Sequence, residues 1–88
     1  MEEFLKRLGI TDEGVLADDG TYVIEIPDSN KYAKYYSILE KTDIVEEDES
    51  SSQLTSSASS IQYSNELYII TLMSDFDEDI YRLTIKEI

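Results

Sequence analysis

The chain has no cysteine, which excludes a disulfide framework, a thiolate nucleophile and a zinc–thiolate site. It also has no histidine, so the commonest general base and the commonest transition-metal ligand are missing. Basic residues are scarce: seven Lys plus Arg stand against twenty Asp plus Glu, for a formal charge of −13. Phosphate contacts need Lys and Arg to displace counterions, so this balance argues against direct nucleic-acid binding. It argues equally against an anionic membrane surface. Nothing approaches the ~20 apolar residues of a membrane span. The Met-Glu-Glu-Phe-Leu start lacks the basic and apolar segments of a signal peptide. The expectation is a cytoplasmic protein whose partner is a basic surface on another protein.

With 88 residues the chain fits one acidic α+β domain. A domain this short buries only about 60–65% of its unfolded surface, so the core is thin and a deep substrate pocket is not expected. Tryptophan is absent and only two Phe occur, which leaves the seven tyrosines to supply most of the aromatic packing.

Glu2 to Leu8 reads as a short helix: Phe4, Leu5 and Leu8 share a face and Gly9 is placed to end it. Val15-Leu16-Ala17 and Tyr22 to Ile26 flank Asp18-Asp19-Gly20-Thr21, a strong hairpin signal. Pro27 stops the ladder. Asp28 or Ser29 can cap a helix over Lys31 to Lys41. In that helix Tyr32, Tyr35, Tyr36 and Leu39 follow the i, i+3, i+4, i+7 pattern of one face. Glu46-Glu47-Asp48-Glu49 then leads into a Ser-rich stretch, and residues of about 48–60 bury too little to offset their ordering entropy. This stretch reads as a flexible loop between strands or an irregular edge. Leu67 to Met73 is apolar on both parities, as a central strand is. From Ile80 to Ile88, Tyr81, Leu83 and Ile85 alternate with Arg82, Thr84 and Lys86. The fold expected is a small antiparallel sheet of roughly four to five strands with one or two helices packed on one face.

Catalytic constellations are lacking. Asp75, Asp77 and Asp79 have the opening spacing of a calcium loop, but Ile80 and Lys86 occupy the positions where that loop needs Gly and Glu. Glu25 is the one acid set in an apolar run, and strand alternation turns it away from Ile24 and Ile26. Serines without a His or an activating Lys motif make poor nucleophiles. No enzymatic activity, metal or cofactor is expected.

The acids fall in blocks, chiefly Glu46 to Glu49 and Asp75, Asp77, Glu78 and Asp79. A strand advances ~3.3 Å per residue and one DNA strand carries a phosphate per ~3.4 Å of axis. Carboxylates on strands and turns can therefore reproduce the charge spacing of a phosphate backbone. Tyr35 is the further candidate contact, since Tyr32, Tyr36 and Leu39 can form a core stripe without it.

The order of short helix, strand, helix, acidic stretch and antiparallel strand pair resembles the phage uracil-DNA glycosylase inhibitors, small acidic DNA mimics. That family places an acidic residue and a Ser between its first strand and second helix, where this chain has Asp28-Ser29. The resemblance implies an inhibitor that occupies the DNA-binding surface of a repair or other DNA-processing protein. It also implies an apolar pocket between second helix and sheet, here Tyr36, Leu39, Ile70 and Leu72. Asn30 after the Ser, Pro27 before the Asp, the Ser50 to Ser60 insertion and the Asp19-Gly20 hairpin depart from the family pattern. Some anti-CRISPR inhibitors share the composition. The alternative is a non-mimic interaction domain, immunity-like or adaptor, whose acidity serves solubility.

A net charge this large repels itself in the compact state, so raising ionic strength from low to physiological is expected to raise Tm by screening. A Tm that stays flat across a salt series would show that self-repulsion is not limiting.

Overall fold

The computed structural model describes residues 2–88 as two helices and one six-stranded antiparallel sheet. The elements run α1 (Glu2–Leu8), β1 (Val15–Leu16), β2 (Tyr22–Ile26), α2 (Ser29–Lys41), β3 (Glu46–Leu54), β4 (Ala58–Ser64), β5 (Tyr68–Asp75) and β6 (Ile80–Glu87). The strand order is β1-β2-β6-β5-β4-β3. The β1–β2 hairpin and the β3–β6 meander thus meet at the β2–β6 contact, and α2 connects them. The class is the expected α+β; the sheet has six strands, more than expected, because the Ser-rich stretch pairs.

Local chemistry sets the element ends. Gly9 at φ 89° closes α1, its N–H donating to the Lys6 carbonyl at 3.0 Å as a helix C-cap does. In the β1–β2 turn the Asp19 carboxylate accepts from the Thr21 N–H at 3.0 Å, and Gly20 takes the left-handed conformation at φ 89°. Asp28 is the N-cap of α2, its Oδ1 accepting from the Lys31 N–H at 2.8 Å, which satisfies a donor the helix leaves free.

One face of the sheet carries the core. Ile24, Ile70, Leu72, Leu83 and Ile85 are fully buried, and Phe4, Leu5, Leu8, Ile10, Tyr35, Leu39 and Val45 close over them. Phe4 stacks on Tyr68 with centroids 4.2 Å apart. The buried hydroxyls are all paired: Tyr32 Oη lies 3.1 Å from Ser59 Oγ, which lies 2.6 Å from Ser74 Oγ. Among the described residues no buried side-chain polar atom lacks a partner, as a thin core requires. No described helix is long and apolar enough to cross a membrane.

Residues 48–60, expected as a flexible loop, instead form most of the β3–β4 hairpin. Between the pairs Asp48↔Gln62 and Gln53↔Ser60 the register shifts, so extra residues of β3 bulge outward. Hydroxyls replace apolar burial there. Ser50 and Ser51 donate to the Asp48 carboxylate at 2.7 and 3.0 Å. Ser52 Oγ donates to the Asp48 carbonyl at 2.9 Å and accepts from the Gln62 N–H at 3.1 Å. Serine thus fills ladder positions that the distorted backbone cannot reach.

A second difference concerns α2. Tyr35, assigned from the sequence to the surface, is 1% exposed, whereas Tyr36 is 41% exposed. The buried stripe runs through Tyr35 and Leu39 with Tyr32 and Ile38 packed beside it, because Ile38 swings the apolar centre away from Tyr36. The Tyr35 hydroxyl donates to the Asp12 carboxylate, which also pairs with Lys31 Nζ at 3.4 Å. Burial, and then the hydrogen bond to Asp12, push the Tyr35 pKa far up.

The connection into β1 packs closely. The Gly14 N–H donates to Tyr22 Oη at 2.7 Å, and a Cβ there would come 2.5 Å from the Val23 carbonyl oxygen and 2.9 Å from Ile24 Cγ1. Gly14→Ala is therefore expected to destabilise by about 1–3 kcal/mol, the usual cost of overpacking, in urea or thermal unfolding. An unchanged midpoint would show that this connection shifts freely.

Candidate functional site

Apart from the half-buried Asp12, Asp48 and Asp75, every described acidic side chain is exposed. Among the described residues only two ion pairs form, Lys31–Asp12 and Arg82–Glu25 at 3.0 Å. The exposed carboxylates are therefore largely uncompensated. Glu25 lies on the open face of the sheet, as its strand parity implies.

The sheet register sorts the sequence-predicted site residues into two groups. Glu46 pairs with Ser64, Ser64 with Ile69 and Ile69 with Lys86; this row marks one end of the sheet. Asp75 pairs with Ala58 and with Ile80, marking the other end. From Ile69 to Asp75 the strand covers about 20 Å at ~3.4 Å per residue. Glu46, Glu47, Asp48 and Glu49 line the β3 edge at the first end. At the second end the β5–β6 turn carries Asp75, Asp77, Glu78 and Asp79, where the Glu78 N–H donates to Asp75 Oδ1 at 3.2 Å and Asp79 takes φ 55°.

Asp28 and Ser29 join this second group. Ile26 pairs with Tyr81, which brings the start of α2 to this end of the sheet, and the Tyr81 pKa is raised, chiefly by Asp79, with Ser29 acting in the opposite sense. Tyr81, Tyr32 and Phe76 form an aromatic cluster beneath, with Tyr32 and Tyr81 centroids 5.2 Å apart. Tyr35 belongs to neither group, being buried against Asp12. Leu39, Ile70 and Leu72, which the family resemblance assigns to a pocket, are fully packed core.

The first group gains partners that the linear sequence does not reveal. Glu47 lies opposite Tyr63 in the ladder, and Tyr63 Oη donates to Glu40 Oε2 at 2.7 Å. Glu40, Glu47, Glu49, Val45 and Tyr63 line a groove of about 330 Å³ between the end of α2 and β3. The last turn of a helix is the negative end of its dipole, so a carboxylate at Glu40 is held there against the field. The Glu47 pKa is raised by its hydrogen bond with Glu40, by desolvation, and by the charges of Glu40 and Glu49. The Tyr63 hydroxyl is pushed far up by burial and by its bond to Glu40; Tyr36 is raised chiefly by the charge of Glu40. Asp48 moves the opposite way, lowered by the Ser50 and Ser51 hydroxyls. Glu40 and Tyr63 were missed because only the β3–β4 register and the course of α2 bring them to Glu47.

No group of three or more Asp or Glu is placed to hold a metal ion among the described residues. Comparison with family models, curated proteins and solved structures returned no match to the chain.

The sign of the Glu47 effect follows from its raised folded-state pKa. The folded form holds the proton more tightly than the unfolded form, so the stabilisation is complete below the unfolded pKa. It is lost as pH rises through the folded one. Glu47→Gln should therefore raise Tm at pH 7 by more than Glu46→Gln does, with the excess vanishing near pH 4. Equal gains from the two variants in parallel melts would reduce the effect to net charge.

Proposed function

We propose that this domain is a non-catalytic, acidic protein-binding inhibitor that covers the nucleic-acid-binding surface of a DNA-processing protein by mimicking DNA. The observation that carries the reading is the placement of uncompensated carboxylates at both ends of one rigid sheet. Along the strand direction the Glu46 row and the Asp75 row are about 20 Å apart, comparable with six phosphate spacings of one DNA strand. A basic groove that accepts a phosphate backbone presents complementary charge at that spacing. Encounter would be steered by the −13 charge and weakened by salt. The resemblance to the uracil-DNA glycosylase inhibitors supports the same reading through Asp28-Ser29, just beyond the Ile26–Tyr81 pair. In this reading the protein is a phage-encoded inhibitor.

A second reading is favoured by Tyr36, a large aromatic left 41% exposed beside the Glu40–Glu47 groove. In that reading the domain binds as an immunity-like or adaptor module through the tyrosine, and the acids only solvate it.

The test is capture of partners from a bacterial lysate at low salt, eluted with a salt gradient. Wild-type protein is compared with a Glu46→Gln, Glu47→Gln, Asp48→Asn, Glu49→Gln variant and with Tyr36→Ala. Mimicry predicts recovery of DNA-binding proteins that duplex DNA displaces, with the fourfold variant weakened at least tenfold and Tyr36→Ala nearly unchanged. Recovery that is indifferent to DNA and sensitive to Tyr36→Ala would replace mimicry with the second reading.

A further inference from the structure

The face of the sheet opposite the helices is not flat. Its outward rows are fixed by register: Gln53, Ser60, Met73 and Arg82 lie in one row, and Ala58, Asp75 and Ile80 lie in the next. At this end Gln53 of β3 and Thr55 just past it flank the open face. Thr55 is held by its hydroxyl, which accepts from the Ala58 N–H at 3.0 Å. The result is a depression of about 270 Å³ with Met73, Ile80 and Ala58 among its lining side chains. Met73 and Ile80 are 40% and 46% exposed, although each sits next to the β5–β6 turn in a strand where a polar residue would serve equally well.

We propose that this depression seats one apolar side chain of a cationic polypeptide segment, whose flanking Lys or Arg residues face the acidic β5–β6 turn. Charge decides the occupant. A second copy of this chain would bring another −13 charge against Asp75, Asp77, Glu78 and Asp79, and those like charges repel. Arg82, the one cation lining the depression, is already neutralised by Glu25 at 3.0 Å. The surrounding field is therefore negative, while Met73 and Ile80 supply apolar area that a purely ionic ligand leaves in water. A partner that satisfies both features carries an apolar anchor within a basic sequence, and the anchor supplies the affinity that screened surface charges do not.

The inference rests on the proposed binding of a basic partner, and the two are separable with defined peptides. The probes are the capped pentapeptides Lys-Lys-Leu-Lys-Lys and Lys-Lys-Ser-Lys-Lys, titrated at low salt into the isotope-labelled protein and followed by amide chemical shifts. The Leu peptide is expected to bind about tenfold more tightly, the worth of burying one such side chain. It should shift the amides of Ala58, Met73 and Ile80. The double variant Met73→Ser, Ile80→Ser alters only exposed positions and should erase the difference while keeping the native spectrum. Equal binding of the two peptides, with shifts confined to Glu46–Glu49, would overturn the seat and leave the acidic surface as the binding site. Failure of both peptides to bind would overturn the seat together with the basic-partner reading.

Discussion

The burial of one face of β5 and β6 beneath α2 is the contact on which the remaining structure hangs. Ile70, Leu72, Leu83 and Ile85 are fully buried, and the two strands hold the centre of the sheet order. Every other strand is positioned by pairing outward from them. Because strand side chains alternate, committing this parity to the core commits Met73, Arg82 and Thr84 to the open face. The site residues follow in turn, since the ends of these two strands determine where the acidic turn and the β3 edge stand.

The same constraint explains how so acidic a chain can fold. Repulsion among carboxylates is tolerable when they stay in high dielectric, and nearly all of them do. The half-buried exceptions are each answered locally: Asp12 by the Tyr35 hydroxyl and Lys31, Asp48 by two serines, and Asp75 by the Glu78 N–H. The charges on β3 also protect an exposed strand edge from pairing with another copy. In the proposed function stability and binding surface are linked, because the carboxylates that would meet a basic partner are those whose mutual repulsion the free domain carries.

Two surfaces of different character result. The β3 edge, with Glu40 and Tyr36 beside it, is acidic and aromatic; the open face near the β5–β6 turn combines an apolar depression with an acidic rim. A partner that engages both must carry positive charge over a distance comparable with the sheet's length, in a molecule whose extents are 32 × 26 × 25 Å.

The linear sequence by itself determined α1, the Asp19-Gly20 hairpin, a cap of α2 at Asp28 or Ser29, the parity of Tyr81, Leu83 and Ile85, and the excess of acid. These rest on local signals: caps, turn residues, period and charge count. Tertiary structure alone decided the rest. The Ser50–Ser60 segment lacks apolar periodicity, and it becomes strand because β4 offers a ladder and serine hydroxyls complete it. Tyr35 and Tyr36 are adjacent on a helical stripe, and only the packing of α2, with Asp12 waiting beside Tyr35, selects which one is buried. Glu40, Glu47 and Tyr63 meet, and Met73 and Ile80 share a depression, through strand register, which no short stretch of sequence encodes because pairing is set between residues far apart in the chain.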